Sequence, residues 1–279
     1  MTGIIIISFN HLTFTKRCIQ SIFKYTDRDK FKICLVDNGS IDGTKEWAKN
    51  TGLDRFIDLD KNYGTCYAGN RGREWALEDY DITDIAIVAN DHIVSENWLQ
   101  PLVKMPGDYG NPFTFMSDQI FVEIDEVINE IKINEYKKLR VKYLNEDIEE
   151  SLDIIFKETY GDYDEFVRLY KNRHIHEPYI EVNEQQWFGF AFYKKYVIEE
   201  VGLEDENLLK FSLAGYADVD YKIRLAKTDF KCSIAMLSYV HHWGSITTRK
   251  MGLNPDGYRR GYVPDTEGAL RYLKNKWHK

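Results

Sequence analysis

Ile4-Ile5-Ile6-Ile7-Ser8-Phe9-Asn10 opens this chain, and the same pattern returns at Ile33-Cys34-Leu35-Val36-Asp37-Asn38-Gly39-Ser40. Each stretch is a short apolar run that ends in polar side chains. Continuous apolar runs of this length are what strands buried on both faces of a parallel sheet require. Ligands of such sheets bind outside the C-terminal ends of the strands. The pair therefore predicts a nucleotide cleft close to the start of the chain, and with it an enzyme.

The flanking residues continue an alternation of strand and helix. Thr13 to Tyr25 reads as an amphipathic helix with Cys18, Ile19, Ile22 and Phe23 on one face, and it can cross over to bring the second strand parallel to the first. Beyond Ser40, Asp42 or Thr44 can cap a helix that carries Trp47 and Ala48. A third strand is predicted at Phe56-Ile57-Asp58-Leu59, before the polar turn Lys61-Asn62-Tyr63-Gly64. A fourth, Ile85-Ala86-Ile87-Val88-Ala89, stops at Asn90-Asp91-His92. Acids and amides after a strand are also ordinary turn formers, but four strands ending this way in series favour a site.

A length of 279 residues suits one large domain or a domain with an insertion. The net charge of -8 argues against nonspecific nucleic-acid binding. Cys18, Cys34, Cys66 and Cys232 are scattered, with no CxxC pair, which points to reduced thiols in a cytoplasmic compartment. There is no basic leader, and no apolar stretch approaches the roughly 20 residues of a membrane span, so the expectation is a soluble protein. The many tyrosines can stack on sugars or simply fill the core.

Seven segments, taken in order, resemble the family 2 glycosyltransferases of the GT-A fold: IIIISFN, LVDNGSIDGT, NYGTCYAGNRG, IVANDHIVSENWL, WFGFAFYKKYVIEEVGLEDENL, YADVDYKIRLAKTDFKC and HHWGSITT. The resemblance covers roughly residues 3–105 and 186–248. It implies an α/β, Rossmann-like GT-A fold with a mostly parallel central sheet flanked by helices, its catalytic domain over 1–114 and 186–248. The implied activity moves a sugar from a nucleotide-diphosphate sugar, with a UDP-sugar favoured, to an acceptor hydroxyl. It would be metal-dependent and inverting, and would serve surface glycan or protein glycosylation. By the same resemblance the donor contacts are Phe9, Asn10, Asp37, Asn62, Asn70 and Asn90. Arg71 and Arg73 can reach phosphate or remain solvated, and are not counted among them.

VANDH stands where the family carries its Asp-x-Asp metal motif, with Ala89 replacing the first acid and Asp91 keeping the last position. The implied cation, Mn²⁺ or Mg²⁺, balances the charge of a diphosphate leaving group. A lone carboxylate needs help, and HHWGS resembles the family's late histidine element. Asp91 and His242 are the implied metal ligands, with His241 one step away and His92 as a third candidate. A histidine pair after the strand IAMLSYV is also a plain polar turn.

Deprotonating an acceptor hydroxyl calls for a carboxylate base. YADVDYKIRL resembles the family's Glu-Asp-x-Asp segment at a helix start, with Ala217 at the usual Glu. Asp218 is the implied base and Asp220 its runner-up, although an Asp near a helix N-terminus is favourable on capping and dipole grounds alone. Gly189 would permit a close approach by sugar or backbone, and Trp187 would form a stacking wall.

Residues 115–185 fall outside the resemblance. Phe121, Ile124, Val127, Ile128 and Ile131, then Leu139, Tyr143 and Leu144, then Leu152, Ile155 and Phe156 repeat at helical spacing, which predicts three or four inserted helices beside the acceptor side. The basic-aromatic end of this insertion can face an anionic or sugar acceptor or be a solvated helix end. A basic tail over 249–279 can cover the donor, pair with phosphate or touch an anionic membrane surface. Lipid-linked glycan, polysaccharide and protein acceptors all remain open. Two other readings stay beside this one. Nucleotidyl transfer lacks its glycine-rich phosphate loop, and a degenerate sugar-nucleotide binding module draws support from Ala89 and Ala217.

Overall fold

In the computed structural model, which describes residues 1–115, 135–139, 142–143, 148–183, 189–213, 216–244 and 265–277, the isoleucine run forms strand β1 (Thr2–Ser8). Ile4, Ile5 and Ile6 are fully buried, as a β-branched run sandwiched between helices should be. Helix α1 (Leu12–Tyr25) crosses to β2 (Phe31–Asp37), which pairs parallel to β1 with Ser8 opposite Asp37. Short α2 (Thr44–Ala48) leads to β3 (Arg55–Asp58), and α3 (Thr65–Glu78) leads to β4 (Asp84–Ala89). β3 runs parallel to β2, and β4 parallel to β1. Asp42 serves two helix starts at once: one oxygen accepts the Thr44 N–H at 3.2 Å and the other the Leu12 N–H at 2.8 Å.

The rest of the sheet is built differently. Among the described residues its nine strands follow the order β3-β2-β1-β4-β8-β6-β9-β5, with β7 also pairing β9. β8 (Phe190–Lys194) is antiparallel to β4, β6 (Tyr109–Phe115) is antiparallel to β8, and β9 (Cys232–His242) is parallel to β6. β5 (His92–Val94) and β7 (Tyr179–Val182) both run antiparallel to β9, and short α4 (Leu99–Val103) follows β5 in the chain. The parallel architecture predicted from the first strands thus occupies the N-terminal half. β5 to β8 escaped prediction because they are short or carry breakers. Pro112 lies inside β6, where the register against β9 shifts between Pro112 and Phe113. A proline is tolerated at such a bulge.

Of the inserted segment, α5 (Ile148–Tyr160) and α6 (Tyr163–Arg173) are helical as expected, whereas β7 rejoins the sheet. The Phe121–Ile131 repeat lies outside the described residues. Both helices pack on the β6–β9 face through Phe113, Phe115, Tyr160, Tyr170 and Tyr239. α7 (Lys195–Val201) and α8 (Ala217–Leu225) cover the opposite side, and α9 (Thr266–Trp277) closes over α8. The cysteines are all buried, and burial pushes the Cys18 and Cys34 thiols up to about 12, so they stay protonated. Among the described residues no helix is long and apolar enough to cross a membrane.

The seating of α3 on β1 depends on Gly72, where an added Cβ would lie 2.2 Å from Ile5 Cγ2. Gly72→Ala should therefore cost about 1–3 kcal/mol, seen as a lower urea midpoint at unchanged slope. Gly52→Ala, with nothing within 4 Å of its added Cβ, should leave that midpoint unmoved.

Candidate active site

The C-terminal edge of β1, β2 and β4 is stitched into one surface. The Asn38 N–H donates to Ser8 O at 2.7 Å, and the Asn90 N–H donates to Ile7 O at 3.1 Å. Asn10 sits just past β1 at φ 55°, a left-handed conformation that asparagine tolerates. Its side-chain oxygen accepts the Ile41 N–H at 2.8 Å, while its own N–H donates to Ser40 Oγ at 2.7 Å. Asp37, fully buried, accepts the Ser40 N–H at 3.0 Å and the Ser40 hydroxyl. Burial pushes the Asp37 carboxyl above its usual range, against the Ser40 hydrogen bonds and the Lys45 charge, which pull it down. Phe9 is half-buried between these residues.

Several predicted donor contacts prove to be part of the scaffold. The Asn90 amide donates to Thr15 Oγ1 at 2.9 Å and to Asn10 O at 3.3 Å, tying β4 to α1. Asn62 Oδ1 accepts from Asn38 Nδ2 at 2.9 Å and from the Gly64 N–H at 2.8 Å, shaping the start of α3. Asn70 is buried, and its hydrogen-bonding capacity is filled. It donates to Glu204 O at 3.0 Å and Glu206 Oε1 at 2.9 Å, and accepts from the Glu204 N–H at 3.0 Å and Arg73 Nη1 at 3.3 Å. The expected ribose or base contact by Asn70 therefore gives way to an anchoring role. Arg73 pairs with Glu204 at 2.5 Å at 1% exposure, and Arg71 pairs with Glu74 and Glu206, so neither is a solvated arginine.

At the end of β4 the chain turns through Asn90 and Asp91 into β5, and β5 pairs with the end of β9 so that His92 stands opposite His242. β9 runs through both histidines rather than ending before them. Because side chains alternate along a strand, the two point to opposite faces. His241 is buried in the aromatic cluster, with Nδ1 2.7 Å from the Tyr160 hydroxyl. His242 turns to the acid, with Nε2 3.2 Å from Asp91 Oδ2. The His92 and His242 rings stack at 4.2 Å, and His92 Nδ1 lies 3.5 Å from Asp91 Oδ1. Ligand atoms of Asp91, His92 and His242 all fall within 4.8 Å of one another.

Burial of Asp91 alone would raise its pKa. The charge and hydrogen bond of His242, with the charge of His92, more than offset this and hold the carboxyl below the usual range. His92 Nδ1 lies 3.0 Å from Ala89 O, and a carbonyl can only accept, so the neutral ring keeps its lone pair on Nε2. Gly189, at φ 77°, brings β8 against this ring: an added Cβ would lie 3.1 Å from His92 Cε1 and 3.1 Å from the Ala89 Cβ. The close approach predicted at Gly189 is therefore made by the protein's own His92 and Ala89. Trp187 lies outside the described residues.

The two candidate bases are sharply separated. Asp218 is half-buried in the first turn of α8 and borders a small cavity of about 20 Å³ with Ile7, Thr65 and Gly69. Asp220 has no exposed surface, and its oxygens accept from Arg224 Nε at 3.0 Å, Trp277 Nε1 at 2.9 Å and Lys276 Nζ at 2.9 Å. Asp220, the runner-up base, is thus enclosed by three donors of the fold. Sequence reasoning weighed His92 third, and its position beside Asp91 was the available signal. The tail contacts to Asp220 had no signal in the sequence.

Asp91 lends stability by the ordinary linkage rule. Its folded pKa lies below an unfolded value of about 3.9, so the stabilisation is complete above that pH and is lost as pH falls through the folded value. With chelator present, wild type should lose stability below pH about 4 more steeply than Asp91→Asn, as read by urea midpoints at successive pH values.

The sequence model of the family described as Glycosyl transferase family 2 matches residues 3–145. No curated protein matches the chain. Among solved structures, GalNAc-T7 with UDP, GalNAc and Mn²⁺ superposes with TM-score 0.61 at 13% identity, covering 98% of this chain and 47% of that one. The mannosyltransferase PcManGT from Pyrobaculum calidifontis, in complex with GDP-Man and Mn²⁺, gives 0.50 at 13% identity over 86% of this chain and 56% of that one. TarS 1-349 of S. aureus gives 0.51 at 11% identity over 86% and 60%. The chain thus spans about half to three fifths of the lengths of these structures. At such identities the likeness establishes the GT-A fold, and the matched residues 3–145, which hold the four parallel strands and Asp91, show that the chain belongs to glycosyl transferase family 2.

Proposed function

We propose that this protein transfers a sugar from a nucleotide-diphosphate sugar to an acceptor hydroxyl with the help of a divalent cation and with inversion at the sugar. A UDP-sugar is the favoured donor. The observation that carries this reading is the convergence of Asp91, His92 and His242 at the sheet edge where strand ends offer a ligand cleft. One buried carboxylate and two imidazoles form a set that fits a divalent cation, and the chemistry of that donor set tilts it away from Mg²⁺, which prefers oxygen ligands. When bound, the cation would balance the charge on a leaving diphosphate. Mn²⁺ in the complexes of GalNAc-T7 and PcManGT supports the same choice.

The chain's own groups divide the remaining work. Asp37 and Asn10, at the ends of β1 and β2, meet the nucleotide base, a reading that the family resemblance supports. Asp218 receives the proton of the acceptor hydroxyl as it attacks, because it alone of the two α8 acids lacks a buried set of cationic partners. An acceptor on a lipid-linked glycan, a polysaccharide or a protein side chain, presented in the cytoplasm for surface glycan or protein glycosylation, is compatible with this arrangement, as is peripheral membrane contact.

Thermal unfolding with UDP or GDP, with and without Mn²⁺, tests the donor site. A nucleotide at a hundred times its Kd should add about 2.7 kcal/mol of stability, only with the cation present and more with Mn²⁺ than with Mg²⁺, and His242→Ala should abolish the gain. Asp218→Asn should keep the nucleotide shift yet lower sugar transfer by about 10²- to 10⁴-fold. Retained nucleotide binding in a wild-type protein that turns over no donor would favour the binding module instead.

A further inference from the structure

Helix α9 ends on the first turn of α8. Trp277 Nε1 donates to Asp220 Oδ1 at 2.9 Å, and Lys276 Nζ bridges that same oxygen at 2.9 Å and Asp205 Oδ2 at 2.7 Å. The Tyr272 hydroxyl donates to Asp205 Oδ2 at 2.8 Å. Farther back along α9, Leu273 packs into a small apolar cluster with Leu208, Cys66 and Ala217. Ala217 is the first residue of α8, so apolar and ionic contacts converge on one helical turn.

That turn needs outside support. Tyr216 precedes it at φ 47° and ψ -38° and its side chain makes no capping hydrogen bond, while within the turn the Val219 N–H donates to Asp218 Oδ1 at 2.9 Å. A bulky residue holds such a backbone only where its surroundings over-determine it. Residues two apart on a helix do not share a face. Asp220 therefore reaches inward to α9, while Asp218 stays at the cavity with Ile7, Thr65 and Gly69. On the inner side Arg224 carries the load onward, donating to Val201 O at 2.7 Å and Leu203 O at 2.8 Å.

We infer that Lys276 and Trp277 are positioning residues, which hold the first turn of α8, and with it the Asp218 carboxylate, by docking on Asp220. The role in transfer rests on Asp218 being the proton acceptor proposed above. Removing either donor leaves a buried carboxylate oxygen short of a partner, and the free energy of that deficit falls on the first turn of α8.

The test uses the full chain. Trp277→Phe keeps a ring where Lys227 Nζ lies 3.8 Å from the indole and removes only the N–H, while Lys276→Met keeps the stem and removes the charge. Amide hydrogen exchange over residues 217–225 should speed up about tenfold in each variant, while β1 and β2 exchange as in wild type. Lys276→Arg, which keeps the charge, should restore slow exchange. Hydrolysis of whichever of UDP-GalNAc, UDP-GlcNAc, UDP-glucose and GDP-mannose the wild type turns over should lose about tenfold in kcat at unchanged KM, as a displaced catalytic group predicts. Exchange in α8 equal to wild type, or faster exchange spread evenly over the chain, overturns the inference, as does unchanged kcat. A wild type that hydrolyses none of these donors counts against the proposed function, and the α8 exchange rates alone then decide the positioning role.

Discussion

His92 and His242 face each other across the short antiparallel ladder between β5 and β9, and Asp91 sits at the turn that starts it. The site depends on this register. Strand side chains alternate with period two, so a slip of one residue would deliver His241 to the acid and His242 to the aromatic cluster. Both faces guard against the slip. On one, His241 bonds Tyr160 among the rings of Phe115, Phe156 and Trp243, and on the other His242 meets Asp91 at 3.2 Å, while the backbone N–H of Trp243 donates to Asp91 O at 3.0 Å. Through Tyr160 and Phe156, which touch His241, helix α5 backs the strand end that carries His242.

Polar side chains at the sheet edge divide into those that hold the edge and those left to act. Asn62, Asn70, Asn90, Arg73 and Asp220 belong to the first group, because each is buried or half-buried and enclosed by partners. Buried polar groups must be satisfied, and an isolated buried charge is costly. The amides and acids that end strands therefore bond first to one another. Asp91 is the instructive exception: it is as buried as these, yet its neighbours are imidazoles, which are ligands in their own right. Burial alone would favour its neutral acid, and the two rings beside it hold the carboxyl ionised, the form that can share a cation with them.

The first four strands and the helix over Thr13–Tyr25 were legible because runs such as Ile4–Ile7 are buried on both faces and announce themselves by composition. The places of Asp91 at a strand end and Asp218 at a helix start could be read from the order of motifs, since short polar signatures there are local features. β5 to β8 were not legible. They are three to seven residues long, one contains a proline, and their pairing joins residues far apart in sequence, such as Ile85 with Tyr193. Likewise Asn70 reads as a ligand contact in sequence and becomes an anchor once Glu204 is folded against it.

By itself, then, the sequence determined the parallel half of the sheet, the edge where its polar strand ends gather and the residue types collected there, because hydrophobic runs and turn chemistry act over a few neighbours. Only the tertiary structure turned His242 rather than His241 toward Asp91, enclosed Asp220 while leaving Asp218 half-buried, and brought His92 beside Asp91. Each of those choices depends on which way a side chain points and on what a distant segment places against it. Strand register and helix docking set both, through long-range contacts that no local pattern encodes.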